Sequence, residues 1–120
     1  MANQPLNGNF SFDVELTRAA STFNGTSQQL LFRGTATPAI LQNNPVMILI
    51  KNQTTVSIFF ADNSGSTEGT TMIAGEHFVL DCRGNKGNAP NGSFPIGTAF
   101  FVTGVAGGAG SVNVSIIYAK

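Results

Sequence analysis

Charge is the first thing this chain has little of. Only 10% of its 120 residues are Asp, Glu, Lys or Arg, against about 25% in an ordinary soluble domain. Six basic and six acidic residues cancel to a net charge of zero, and no stretch concentrates the basic ones. Nucleic-acid binding needs a positive footprint to neutralise phosphates, so nucleic acid is not an expected partner. Lys and Glu, the usual surface residues of helices, are scarce at three each, which removes the material for exposed helical faces. Cys82 is the single cysteine, so no intrachain disulfide can form. One cysteine and one histidine cannot build a tetrahedral zinc site within the chain, and no metal or other cofactor is expected. No window approaches the ~20 apolar residues of a membrane span, so no membrane partner is expected. The start, Met1-Ala2-Asn3-Gln4-Pro5, has no basic segment followed by an apolar run. The expectation is a chain without a signal peptide, made in a cytoplasm.

What is present is the vocabulary of strands and turns: 42% hydrophobic residues, fourteen glycines and ten phenylalanines among abundant Asn, Ser and Thr. The length suits one domain, large enough to bury roughly two-thirds of its unfolded surface. Residues 1–8 are polar with Pro and Gly and read as a flexible N-terminal arm; residues 9–120 read as a single β-sandwich domain. Phe10, Phe12, Val14 and Leu16 alternate with polar residues, the two-residue period of a strand with one dry and one wet face. Residues 30–33 form a second, short strand candidate. The apolar runs 46–50 and 56–61, joined by a polar turn, read as a β-hairpin. Residues 77–82, 98–103 and 111–119 are the remaining strands. They are separated by turn clusters, of which 83–97 is the longest. No segment longer than ten residues shows helical periodicity. The fold expected is all-β: an antiparallel β-sandwich, jelly-roll-like.

Candidate chemistry is sparse. His77 is the only histidine, and Asp81 follows it four residues later on the same strand. At ~3.3 Å per residue they stand roughly 13 Å apart, too far for the hydrogen bond of a nucleophilic triad. Cys82 alternates with Phe78 and Leu80 and reads as a small core hydrophobe. Residues 62–68 offer oxygen ligands and a glycine but lack the carboxylate spacing of a calcium loop. The glycine-rich stretch 104–110 precedes a strand rather than the helix that a phosphate-cradling loop opens. Residues 84–87 lack the spacing of a P-loop. Asn-x-Ser/Thr triplets begin at Asn9, Asn24, Asn52, Asn91 and Asn113; in so Asn-rich a chain they read as chance. The expectation is a protein that is not an enzyme.

The informative feature is apolar residues on both faces of three strands. Ile48-Leu49-Ile50, Ile58-Phe59-Phe60 and Phe100-Phe101-Val102 each put bulky groups on both sides, while a small sandwich has one dry face per sheet. Two readings stay open. Loops such as 18–29 or 83–97 fold over the outer faces, or the outer faces are subunit interfaces. On the second reading Phe59, Phe60, Phe100 and Phe101 are candidate interface residues. Arg83 and Lys86, at the charged start of the long loop, are candidate partner contacts.

The order of segments carries a resemblance. Ile48-Leu49-Ile50-Lys51-Asn52-Gln53-Thr54 is followed by Val56-Ser57-Ile58-Phe59-Phe60, then by Ile73-Ala74-Gly75-Glu76-His77-Phe78-Val79-Leu80-Asp81. Gly97-Thr98-Ala99-Phe100-Phe101-Val102 and Val112-Asn113-Val114-Ser115-Ile116 close the series. Over residues 46–119 this resembles small bacteriophage virion proteins of the head-decoration or fibre-base type. The resemblance implies a β-sandwich, often trimeric, that binds itself and other virion proteins such as a major capsid or tail protein. It also implies location in the virion. The first 35 residues take no part in it. A different class of function, a receptor- or carbohydrate-binding module of a phage tail or fibre, is the alternative. Against it, sugar sites stack an aromatic platform, Trp is absent and Tyr118 is the only tyrosine.

Overall fold

Strands form where apolar and polar residues alternate, and one of them, Pro45–Thr54, runs well past the apolar run 46–50 that marks it. The computed structural model describes residues 10–12, 16–65, 67, 69–82 and 94–119. In chain order the strands are β1 (Phe10–Phe12), β2 (Leu16–Ala19), β3 (Gln28–Gln29), β4 (Leu31–Phe32) and β5 (Pro45–Thr54). They continue with β6 (Ile58–Ala61), β7 (Thr70–Met72), β8 (His77–Asp81), β9 (Phe101–Gly104) and β10 (Gly110–Ala119). A single 3-10 turn, Ala20–Thr22, follows β2. No helix among the described residues is long and apolar enough to cross a membrane.

The strands make two antiparallel sheets. The larger has the order β4-β2-β10-β5-β8, and β1 pairs with the end of β10 that β2 leaves open. The smaller has the order β3-β9-β6-β7. With β1 and β4 set aside, the sheets are β2-β10-β5-β8 and β3-β9-β6-β7. Each sheet thus draws strands from both halves of the chain, which is the connectivity of a jelly roll. The expected all-β, jelly-roll-like sandwich is therefore the fold.

The core lies between the sheets. From the larger sheet come Leu16, Ile48, Ile50, Val112, Val114 and Ile116; from the smaller come Ile58, Phe60, Met72 and Val102. Leu30 crosses from β3 to β4 fully buried, its N–H donating to the Phe100 carbonyl and its carbonyl accepting from Ala39 N–H. Arg18 ties the sheets at this side. Its Nε–H donates to the Gln29 carbonyl at 3.0 Å, and a terminal guanidinium N–H donates to the same oxygen. Burial lowers its pKa, but a guanidinium stays charged at neutral pH.

Four connections between the sheets gather at one end: residues 20–27, 55–57, 73–76 and 105–109. Asn52 of β5 is buried among them with no exposed surface. Its amide nitrogen lies at 3.0 Å from the Val56 carbonyl, 3.1 Å from that of Met72 and 3.0 Å from that of Ile73, and donates to them. Its Oδ1 accepts from the Thr54 N–H at 3.1 Å and lies 2.6 Å from the Thr54 hydroxyl. Its backbone N–H donates to Glu76, and its carbonyl accepts from Gly75. One side chain thus serves both the β5–β6 and the β7–β8 crossings. Gly110 opens β10 with φ +96°, and a Cβ there would meet the Gln53 carbonyl oxygen at 2.0 Å.

One sequence expectation changes. The hairpin expected from 46–50 and 56–61 does not exist: β5 pairs with β10 and β8, β6 with β7 and β9. The polar turn between the runs carries the chain from one sheet to the other, because Asn52 and Thr54 supply buried bonds that redirect it. β9 and β10 lie in different sheets, joined by the crossing at 105–109. The alternating stretch 10–16 holds β1 and the first residue of β2, and residues 13–15 lie outside the described residues. Residues 1–9 lie outside the described residues, and the arm expected there with them.

Two substitutions test this end. Asn52→Asp places an oxygen against three carbonyls and should lower unfolding free energy by at least about 3 kcal/mol. Gly110→Ala should cost on the order of 2 kcal/mol or more through positive φ and the Gln53 clash. Urea unfolding followed by circular dichroism reads both, and unchanged midpoints would remove Asn52 and Gly110 from this role.

Candidate functional site

Adjacent residues in a strand point to opposite faces, so each Phe-Phe pair must divide. Phe60 and Phe100 turn inward and are 5% and 0% exposed. They are core residues, which corrects their place on a candidate surface. Phe59 and Phe101 point outward and are half-buried. The Phe59 ring lies against the backbone of Gly69, where a Cβ would come within 2.9 Å of its Cζ. Part of this outer face is thus covered by the chain between β6 and β7, a connection not among the loops considered for that cover. Arg83 and Lys86 lie outside the described residues, as do residues 83–93 of the long loop.

The inward aromatics build a cleft. Phe60 and Phe100 stack with centroids 5.3 Å apart at 23°, and Phe94 meets Phe100 edge-on at 5.2 Å and 76°. With Phe78 and Leu80 of β8 they floor an open cavity of about 250 Å³, with Asp62 and Thr70 also contributing to its lining. It opens where the edge strands β7 and β8 leave the sandwich unsealed. Its lining suits an apolar group, since among the described residues only a carboxylate and a hydroxyl provide polar side chains.

The outer face of the larger sheet divides in two. Toward the crossover end it is polar. Thr17 Oγ1 donates to Asn113 Oδ1 at 3.0 Å, and Asn113 Nδ2 donates to Gln53 Oε1 at 2.6 Å. Beyond lies an apolar field. Leu49 pairs with Val79, and Met47 pairs with Ile117. Val79 is 51% exposed and the other three are half-buried. Further aliphatics stand out at the two ends of the sandwich. Ile73 and Val105 lie on crossover turns. Ile40 and Ile96 flank the contact in which Leu41 N–H donates to Thr98 and Gly97 N–H to Leu41.

The remaining candidates fall as follows. His77 and Asp81 both sit exposed on the outer side of β8. Cys82 is buried, with its sulfur 3.9 Å from the Leu80 carbonyl oxygen. Burial, and secondly the charge of Asp81, push the Cys82 thiol up in pKa, away from the thiolate that a nucleophile needs. In residues 62–68, Asn63 donates to Asp62 Oδ1 at 3.4 Å, while Ser66 and Glu68 lie outside the described residues. Among the described residues no group of three or more His, Cys, Asp or Glu gathers as a metal site. The 104–110 stretch is a turn into β10, with Gly107 and Gly110 at positive φ.

The apolar field on β5, β8 and β10 was partly legible, since Met47 and Leu49 flank inward Ile48 in sequence. Ile117 and Val79 join them only through register. The cleft had no local signal, because Phe78, Leu80 and Phe94 come together through tertiary packing. The Cys82 environment has a direct test. Iodoacetamide should modify Cys82 in the folded chain at least about tenfold more slowly than in the urea-unfolded chain at the same pH. Equal rates would place the thiol in solvent.

No family model, curated protein or solved structure matches the chain.

Proposed function

We propose that this chain is a non-enzymatic structural protein of a virion, a capsid decoration or accessory component that docks on a repeating viral lattice. The observation that carries the reading is the apolar field of Met47, Leu49, Val79 and Ile117 on the outer face of the larger sheet. Aliphatic surface of this kind gains by being covered, and a chain with 10% charged residues opposes such covering weakly. Jelly rolls serve as viral capsid domains and as lectins, an analogy at the level of fold. The mechanism is passive. A rigid sandwich presents its apolar face to neighbours, and many modest contacts on one particle add through high effective concentration.

The lectin-like reading has one observation in its favour, the aromatic cleft beside Asp62 and Thr70. Phe60 and Phe100 stack on each other there, and Phe94 packs edge-on against Phe100. A sugar also needs more hydrogen-bonding side chains than two. The cleft fits an apolar side chain from a neighbouring protein better than a sugar ring.

Particles purified from a culture that produces this chain provide the test. Immunogold electron microscopy and quantitative mass spectrometry should find the chain on the particle at a fixed ratio to the major capsid protein. Leu49→Lys should lower that occupancy while the isolated domain stays folded. A chain found wholly outside the particles overturns the reading.

A further inference from the structure

We propose that β8 is a self-complementary edge through which two copies of this chain pair, antiparallel, about a two-fold axis at Val79. Unpaired sheet edges are a hazard that folded proteins blunt by keeping them short, covering them, or placing Pro, Lys or a bulge on them. Among the described residues, four of the five edges follow that rule. β1, which pairs only with β10, has three residues. β4 has two residues; Leu31 bridges to Pro38, and Phe32 N–H donates to Thr37. β3 has two residues, and the Gln29 carbonyl is taken by Arg18. β7 has three residues. β8 has five, with no Pro, no Lys and an unbroken register against β5.

Hydrogen-bond parity shows which groups face outward. Asn52 N–H donates to Glu76, and Cys82 N–H donates to Val46. Alternation along an antiparallel ladder then turns residues 78 and 80 toward β5 and the N–H and C=O of His77, Val79 and Asp81 toward the open side. A dyad at Val79 sets Val79 against Val79 of the second copy and His77 against Asp81 of the second copy. Each of these pairs brings outward backbone groups together. Sliding the register by two residues in either direction loses one of these pairs.

The side chains agree with the same register. On the outer face the two Val79 side chains meet at the axis. Asp81 also interacts within its own chain. On the inner face Phe78 comes opposite Leu80 of the second copy. These two half-buried residues floor the cleft at its unsealed side, so the pairing covers apolar surface where the sandwich is open. Such an interface is isologous and closes at two copies. It stands independently of the virion reading, since particle occupancy and self-pairing are measured separately.

Sedimentation of the full chain over a wide concentration range tests it. The mass should rise from 12.5 kDa towards twice that value. Val79→Pro removes an N–H that faces away from β5, a position where an edge strand tolerates Pro. It should leave a folded monomer, with strand content checked by circular dichroism. Val79→Lys, which keeps the backbone donor, should give the same result if the Pro variant does not fold. A wild-type mass that stays at 12.5 kDa overturns the proposal. So does a dimer, or a trimer of the kind the resemblance implies, that both Val79 variants leave intact.

Discussion

The buried carboxamide of Asn52 is the constraint on which this architecture turns. A jelly roll must carry its chain repeatedly from one sheet to the other, and each passage leaves backbone groups without a ladder partner. Buried groups in that state cost far more than a made hydrogen bond returns. Here donors on one amide nitrogen reach the carbonyls of Val56, Met72 and Ile73, on two separate crossings. The same residue's backbone binds Glu76 and Gly75. The network is complete, for no buried side-chain polar atom among the described residues lacks a partner. Completeness is what turns buried polarity from a liability into a specification of one arrangement.

The rest of the molecule is asymmetric with respect to that point. The crossover end is held by buried polar bonds and by Phe23 packed on Gly104, where no Cβ would fit. Along the β3–β4 side, Arg18 and Gln29 bridge the sheets. Among the described residues, the β7–β8 side shows aromatic and aliphatic contacts around an open cleft. The apolar field on the larger sheet reaches β8 at Val79, so edge, cleft and outer face meet on one side of the sandwich.

The strands were legible in sequence, and their partners were not. Residues 111–116 alternate strictly, and β10 covers that stretch with Val112, Val114 and Ile116 buried. Residues 77–82 alternate as well, and Phe78, Leu80 and Cys82 take the inner face as the period requires. β7 escaped notice because Thr70 and Thr71 are exposed and only Met72 is buried. The supposed hairpin misled because two adjacent apolar runs joined by a polar turn look the same locally whether they pair or part. The difference lay in Asn52 and Thr54, polar residues whose burial depends on chain 20 residues away. The outer field was legible as apolar residues at both parities of one strand. Its extent was not, since Val79 and Ile117 are brought beside β5 from opposite directions in the chain.

The placement of β10 has a consequence for how the molecule comes together. β10 stands between β5 on one side and β1 and β2 on the other, and those neighbours do not pair with one another. Thr17 reaches a partner 95 residues away when its hydroxyl donates to Val112. No partial version of the larger sheet can therefore join the two ends of the chain ahead of β10. Closing loops of that span is slow, because their entropy is lost before any contact returns it. Until residues 110–119 have left the ribosome and docked, β2 has no central strand to pair with and β5 keeps a ten-residue edge open. The interval between synthesis of β5 and arrival of β10 is when this chain is most exposed to the wrong partner.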